Sequence, residues 1–198
     1  MKIKRIGPTR PVIIVITGTP GTGKTTIARG LARQLHADYL SLNKLVIAER
    51  LLAGIDRQRG TRVVDLKMTR IWLRKSFRGS KAVTVIDTHV PDAVPRTRLR
   101  KVIVLRCHPM VLEQRLRKKG WRAIKIRENI LAEILDSCFI IASDYYGADK
   151  VVQLDTSRAS VGKSVRRCEA LVREQTSVRD RLDWIATLDQ VVLERYTL

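Results

Sequence analysis

Aromatic side chains are scarce, at 5% of 198 residues, so aliphatic Val, Ile and Leu must build most of any core. Hydrophobic residues still reach 44%, which suits one compact domain with a real interior. Cysteines number three, Cys107, Cys138 and Cys168, and none forms a CxxC pair. Such a set builds no disulfide framework and reads as reduced, small apolar residues in a cytoplasmic protein. The three histidines, His36, His89 and His108, show no metal-ligand spacing. Apolar runs are short: Val12–Ile16 falls far below the length needed to span a bilayer, and no secretory signal is apparent. Acids are the other deficit. Nineteen Asp and Glu face 39 Lys and Arg, a formal charge of +20. A surplus of this size points to polyanionic partners such as RNA, DNA or acidic protein surfaces. Adaptation of a whole proteome to a salty or hot cytoplasm is the other reading, and neither bears on the fold.

What is present alternates. Met1–Arg10 carries four basic residues and no acid, and reads as a short basic arm. Residues 11–198 read as a single domain. The β-branched run VIIVITG is a strand buried on both faces. Ile27, Ala28, Leu31, Ala32 and Leu35 then share one helical face. Further strands are predicted at Asp38–Leu42, Ala82–Ile86, Lys101–Leu105 and Lys150–Leu154. Helices are predicted over Asn43–Leu52, Val63–Phe77, Pro109–Lys119, Ile124–Tyr146, Val161–Glu174 and Val178–Tyr196, with a polar loop at Gly54–Gly60. Strands alternating with helices imply a three-layer α/β fold with a parallel sheet. Its binding crevice lies at the carboxyl ends of the strands, which selects the loops after Ile16, Ile86 and Leu105.

The first of these loops is Gly18-Thr19-Pro20-Gly21-Thr22-Gly23-Lys24-Thr25, a complete GxxxxGK[ST] pattern between a strand and a helix. Glycines let the backbone curl until successive N–H groups point inward at phosphate oxygens. The helix that follows aims its positive dipole end at the same place. Lys24 is placed to reach the β- and γ-phosphates of ATP, Thr25 to ligate Mg²⁺, and Thr26 to hydrogen-bond the α-phosphate.

The second loop opens with Asp87-Thr88-His89. An apolar strand ending in Asp is how phosphate-loop proteins place a second carboxylate near Mg²⁺, although an Asp can also cap the next turn. His89 could orient an attacking water, contact a substrate phosphate, or serve the loop's structure alone. After the third loop, Arg115 to Arg127 holds seven basic residues and no acid. These cations could close over phosphates as a lid, stack on adenine, or form a solvated basic face.

Together the motifs GTPGTGKTT, DTH, VIVLR, LEQRL and GWRAIKIRENILAEIL resemble those of the adenylate kinase isoenzyme 6 family, small phosphate-loop nucleoside monophosphate kinase/ATPases of ribosome biogenesis, in its archaeal branch. The resemblance runs from about Val12 to about Arg158. It implies a five-stranded parallel sheet, a monophosphate-binding segment about 41–64, a lid about 118–128, and C-terminal helices about 160–196 that match the family only loosely. It implies that Gly21, Thr22, Gly23, Lys24, Thr25, Thr26, Arg115, Lys119 and Arg158 bind ATP, that Thr25 and Asp87 hold Mg²⁺, and that Lys24, Asp87 and His89 act in transfer or hydrolysis. AMP is the expected acceptor, and a small-subunit ribosomal protein and rRNA are the implied partners. Two positions depart from the family: Lys119 replaces an arginine in the lid, and Ile47 stands where relatives carry an arginine, with Arg50 a turn further on. The resemblance therefore implies a broad-specificity kinase with ATPase activity, or an ATPase stimulated by its partner with little kinase turnover. A non-catalytic RNA-binding module is disfavoured by the intact Lys24, Thr25 and Asp87.

Overall fold

The computed structural model describes residues 12–57, 61–78, 80, 82–174, 180 and 182–197. The basic arm Met1–Arg10 and the tip of the 54–60 loop lie outside the described residues. The sheet is built from β1 (Val12–Gly18), β2 (Asp38–Ser41), β5 (Val83–Asp87), β6 (Leu99–Arg106) and β7 (Val151–Asp155). Their order is β2-β5-β1-β6-β7, and all five are parallel, the arrangement the sequence led one to expect. The chain leaves β1 for one side of the sheet, then crosses to the other. The loops after β1, β5 and β6 consequently open together at one edge.

Side-chain alternation along β1 explains why this strand must be central. Ile14 and Ile16 point to one face, where they pack with α1 (Lys24–Leu35) and α7 (Val161–Val172) through Ile27, Leu31, Val165 and Cys168. Ile13 and Val15 point to the other face, against α2 (Leu42–Ala48), α3 (Leu66–Ser76) and α6 (Ser137–Tyr146) through Val46, Leu73 and Ala142. A fully buried aliphatic side chain contributes about 1.5–3 kcal/mol, so a strand buried on both faces anchors both layers. A third cluster joins α4 (Pro109–Lys118), α5 (Ala123–Ile134) and α9 (Gln190–Thr197) through Leu112, Leu116, Ile130 and Tyr196.

Four expectations need correction. Helix α2 ends at Ala48 rather than Leu52, because Arg50 turns the backbone left-handed, φ 53°. The described start of the predicted 54–60 loop and the start of the next predicted helix belong to an antiparallel pair instead: β3 (Leu52–Asp56) meets β4 (Thr61–Val64), and α3 starts only at Leu66, capped by the Asp65 side chain. The helix predicted over Ile124–Tyr146 is two helices. Asp136 adopts φ 54° between α5 and α6, a conformation Asp tolerates, and its carboxylate faces Arg106. Lastly, Val178–Tyr196 contains the short α8 (Trp184–Thr187) and α9 instead of one helix.

Close packing of α1 on α7 depends on one missing side chain. A Cβ on Gly30 would lie 2.6 Å from a Val165 methyl, whereas one on Gly162 would meet only Arg166 Nη1, at 3.6 Å. Gly30→Val should therefore destabilise by about 1–3 kcal/mol through overpacking, and Gly162→Ala should leave stability level or slightly raised. Thermal or urea unfolding checks this; equal effects of the two substitutions would contradict the packing.

Candidate functional site

Strand β1 ends in a backbone path open only to glycine. Gly18 has φ 134°, and a Cβ there would sit 2.3 Å from the Leu105 carbonyl oxygen. Gly21, at φ 97°, lies against Leu112 and Leu116 of α4, with no room for a side chain. Between them the chain folds back on the Thr19 carbonyl. That oxygen accepts from Thr22 N (3.2 Å), from the Thr22 hydroxyl (2.9 Å) and from Lys24 Nζ (3.2 Å). Gly23, also left-handed, starts α1 without any side-chain cap. The first-turn N–H groups of α1 therefore face the interior of the loop, the geometry that binds anions.

The outer wall is polar too. The Thr156 hydroxyl sits between the carbonyls of Thr22 (3.0 Å) and Arg106 (2.9 Å). Arg115 donates to the carbonyls of Thr156 (2.7 Å) and Ser157 (3.2 Å). This fixes the guanidinium beside the loop that follows β7. Arg158 lies exposed on the rim of an open hollow of about 470 Å³, with Asp155, Lys163, Arg167 and Asp180.

Across the crevice, Asp87 ends β5 and is 5% exposed. Its Oδ2 accepts the Thr25 hydroxyl at 2.6 Å and the Tyr39 hydroxyl at 3.2 Å. A helix-start hydroxyl and a strand-end carboxylate are thus joined across the sheet, which rules out Asp87 as merely a cap of its own turn. Two adjacent hard oxygens suit a magnesium ion, which keeps most of its shell for phosphate and water. No group of three or more His, Cys, Asp or Glu able to hold a metal occurs among the described residues.

The turn carrying His89 is pinned from three sides. Thr88 N donates to Ile16 O (3.1 Å), Arg70 Nε to Asp92 O (2.7 Å), and the Tyr146 hydroxyl lies 2.7 Å from both the Pro91 and Val94 carbonyls. Burial, followed by the Lys24 charge, pulls the His89 pKa below the usual 6.5, and Asp87 only partly offsets this. Lys24 is itself pulled below the ordinary lysine value, chiefly by burial, with Lys119 adding to the effect and Cys138, Asp87 and Glu133 opposing it. A phosphate tail would supply the missing counter-charge.

The structure thus brings together Gly21 to Thr26, Asp87 and His89, and places Lys119 close enough for its charge to act on Lys24. Sequence reasoning missed Tyr39, Thr156 and Glu133. Glu133 lay within the GWRAIKIRENILAEIL motif, beyond the expected lid of about 118–128, with no role of its own. In the fold its carboxylate is 2% exposed and accepts the Thr19 hydroxyl at 2.6 Å. Its spacing seven and three residues after Ile126 and Ile130, which puts it on the apolar face of the helix, was the available signal. No helix among the described residues is long and apolar enough to cross a membrane.

Comparison with known proteins agrees with this geometry. Residues 14–136 match a family model described as an AAA domain. A Pyrococcus furiosus protein named "Putative adenylate kinase" is 32% identical over 183 residues, 91% of this chain and 96% of the relative. Its namesake in Archaeoglobus fulgidus is 30% identical over 193 residues, 92% of this chain and 97% of the relative. One in Saccharolobus solfataricus reaches 37% over 149 residues, 75% and 77% of the two chains. Among solved structures, shikimate kinase from Acinetobacter baumannii aligns with a TM-score of 0.57 at 18% identity, covering 86% of this chain and 97% of that one. A gluconokinase from Sinorhizobium meliloti aligns with a TM-score of 0.53 at 16% identity, covering 83% and 93%. The two structures share the fold; the archaeal relatives carry the kinship. With its phosphate loop, strand-end aspartate and five-stranded parallel sheet, the chain belongs to the phosphate-loop nucleoside monophosphate kinase family of these archaeal proteins.

Proposed function

We propose that this chain transfers the γ-phosphoryl group of ATP to a nucleoside monophosphate, with AMP the expected acceptor, and hydrolyses ATP as a side reaction. The single observation that carries the reading is the Thr25 hydroxyl held 2.6 Å from Asp87 at the mouth of a loop that already contains Lys24. The names of the archaeal relatives support AMP as the acceptor.

In this reading the loop amides from Gly21 to Thr26 and Lys24 bind the β- and γ-phosphates. Thr25 and Asp87 would hold Mg²⁺, which when bound neutralises charge on the transferring group. Arg115 and Arg158 flank the adenine side, and Lys119 approaches from the turn between α4 and α5. The acceptor segment is α2 with the β3–β4 hairpin, where Arg50 and Arg62 are exposed. During transfer, the bond from the γ-phosphorus to the bridging oxygen of ADP breaks. A bond to a phosphate oxygen of AMP forms, and the electron pair stays on the ADP oxygen. That AMP oxygen is already an anion at neutral pH, so it needs no base. Water does need one, and neutral His89 is placed to accept its proton or align it.

A second reading has the chain as an ATPase stimulated by a ribosomal protein or rRNA during small-subunit assembly. Two observations favour it: the formal charge of +20, and Ile47, 50% exposed at the position expected to hold a phosphate-binding arginine. The cytoplasm is the matching location.

Three outcomes follow. Incubation with Mg·ATP and AMP should yield ADP above the ATP-only control, and Lys24→Ala should cut turnover by about 100-fold or more while the fold stays intact; no ADP above that control would leave only the ATPase reading. His89→Ala should depress ATP hydrolysis at least about tenfold more than AMP phosphorylation, and equal losses in the two assays would remove His89 from the hydrolytic role. A base with a lowered pKa stays neutral until the pH falls below its ordinary value, so NMR titration of the nucleotide-free protein should place the His89 midpoint below 6.5; a midpoint at or above 6.5 contradicts the burial and Lys24 proximity.

A further inference from the structure

Glu133 occupies an unusual place for a carboxylate. It projects from α5 into the space under the phosphate loop and is 2% exposed. Four donors from three separate parts of the chain converge on it. Oε1 accepts from Arg106 Nε at 2.7 Å, Cys107 N at 3.0 Å and Trp184 Nε1 at 3.2 Å. Oε2 accepts from the Thr19 hydroxyl at 2.6 Å. Thr19 is the residue around whose carbonyl the loop curls, since Thr22 and Lys24 both donate to it. The grip on Thr19 therefore fixes the origin of the whole curl.

Arg106 is in turn immobilised. It donates to Gln153 Oε1 (2.7 Å) and to the Glu133 carbonyl (2.9 Å), and pairs with Asp136. Trp184 completes the arrangement from the C-terminal segment. Its ring lies over the Arg106 guanidinium, 5.8 Å away, and meets His108 edge-on at 5.4 Å. The same segment reaches the loop by an apolar route. Tyr196 donates to Glu113 and packs with Leu112 and Leu116, the two side chains that lie against Gly21. A buried carboxylate held by four donors, three on Oε1 and one on Oε2, has a fixed orientation. Removing one donor loosens that hold, and with it the hold on the Thr19 hydroxyl.

We propose that Glu133 is a positioning residue for the phosphate loop, and that the C-terminal segment, through Trp184, completes its support. The tail is then part of the nucleotide site's framework, and anything that displaces the tail weakens ATP binding. This rests on the phosphate-binding reading above, and the loop amides bind well only when aimed in advance.

Replacing Glu133 itself strands Arg106 and risks unfolding, so the test uses the donors. Thr19→Val removes the hydroxyl at nearly constant volume, Thr19→Ser restores it, and Trp184→Phe removes the indole N–H while keeping a ring. Amide hydrogen exchange at residues 18–25 of the nucleotide-free protein is read beside the Mg·ATP Kd from calorimetry. Thr19→Val and Trp184→Phe should each speed exchange in the loop and raise Kd by about tenfold, and Thr19→Ser should recover most of what Thr19→Val loses. Unchanged loop exchange in both variants, even with a lower melting temperature, would reduce Glu133 and Trp184 to structural residues and overturn the proposal. Failure of the parent protein to bind Mg·ATP would instead sink the kinase reading, and loop exchange would still decide this one.

Discussion

The site depends on a backbone that must curl back on itself within six residues of leaving a buried strand. Only glycine can occupy the two tightest points, one against the Leu105 carbonyl and one against Leu112 and Leu116. With those contacts made, the Thr19 carbonyl collects the donors of Thr22 and Lys24, and the N-terminus of α1 faces inward with no side chain capping it. A loop so formed has an excess of donors and positive potential at its centre. Such a loop suits a polyanion, the ligand that the proposed function gives it.

The acidic side of the crevice is the necessary complement. Lys24 sits in surroundings that disfavour its charge, and Asp87, shared between Thr25 and Tyr39, offers a partial counter-charge. His89, drawn toward its neutral form by burial and Lys24, stands next to this cation instead of competing with it. In the proposed reading Thr25 and Asp87 would hold a magnesium ion that arrives with the nucleotide. Further out, the large surplus of Lys and Arg would act on an encounter with an anionic partner through the long-range field rather than on the fold.

The strands were legible because they are two-sided and apolar. Val12–Gly18 and the VIVL core of Leu99–Arg106 carry no alternation to misread, and the alternation of strands with helices made the sheet parallel, though it did not give the strand order. The phosphate loop, Asp87 and His89 were legible because each lies within a few residues of a strand end. What escaped notice has a physical reason. The break at Asp136 involves no glycine or proline, and its left-handed backbone goes with a contact to Arg106, 30 residues earlier. The β3–β4 pair is too short for a period-two pattern to show. Glu133 and Trp184 matter through contacts 114 and 51 residues apart in sequence, which no local window reveals.

The central claim, that the curl after β1 is a receptor for a nucleotide's phosphate tail, is tested most directly by titrating the unmodified protein with ATP in the presence and absence of magnesium. The account predicts saturable one-site binding that tightens when magnesium is added. Adenine nucleotides that fail to bind, or bind equally with and without the metal, would contradict it.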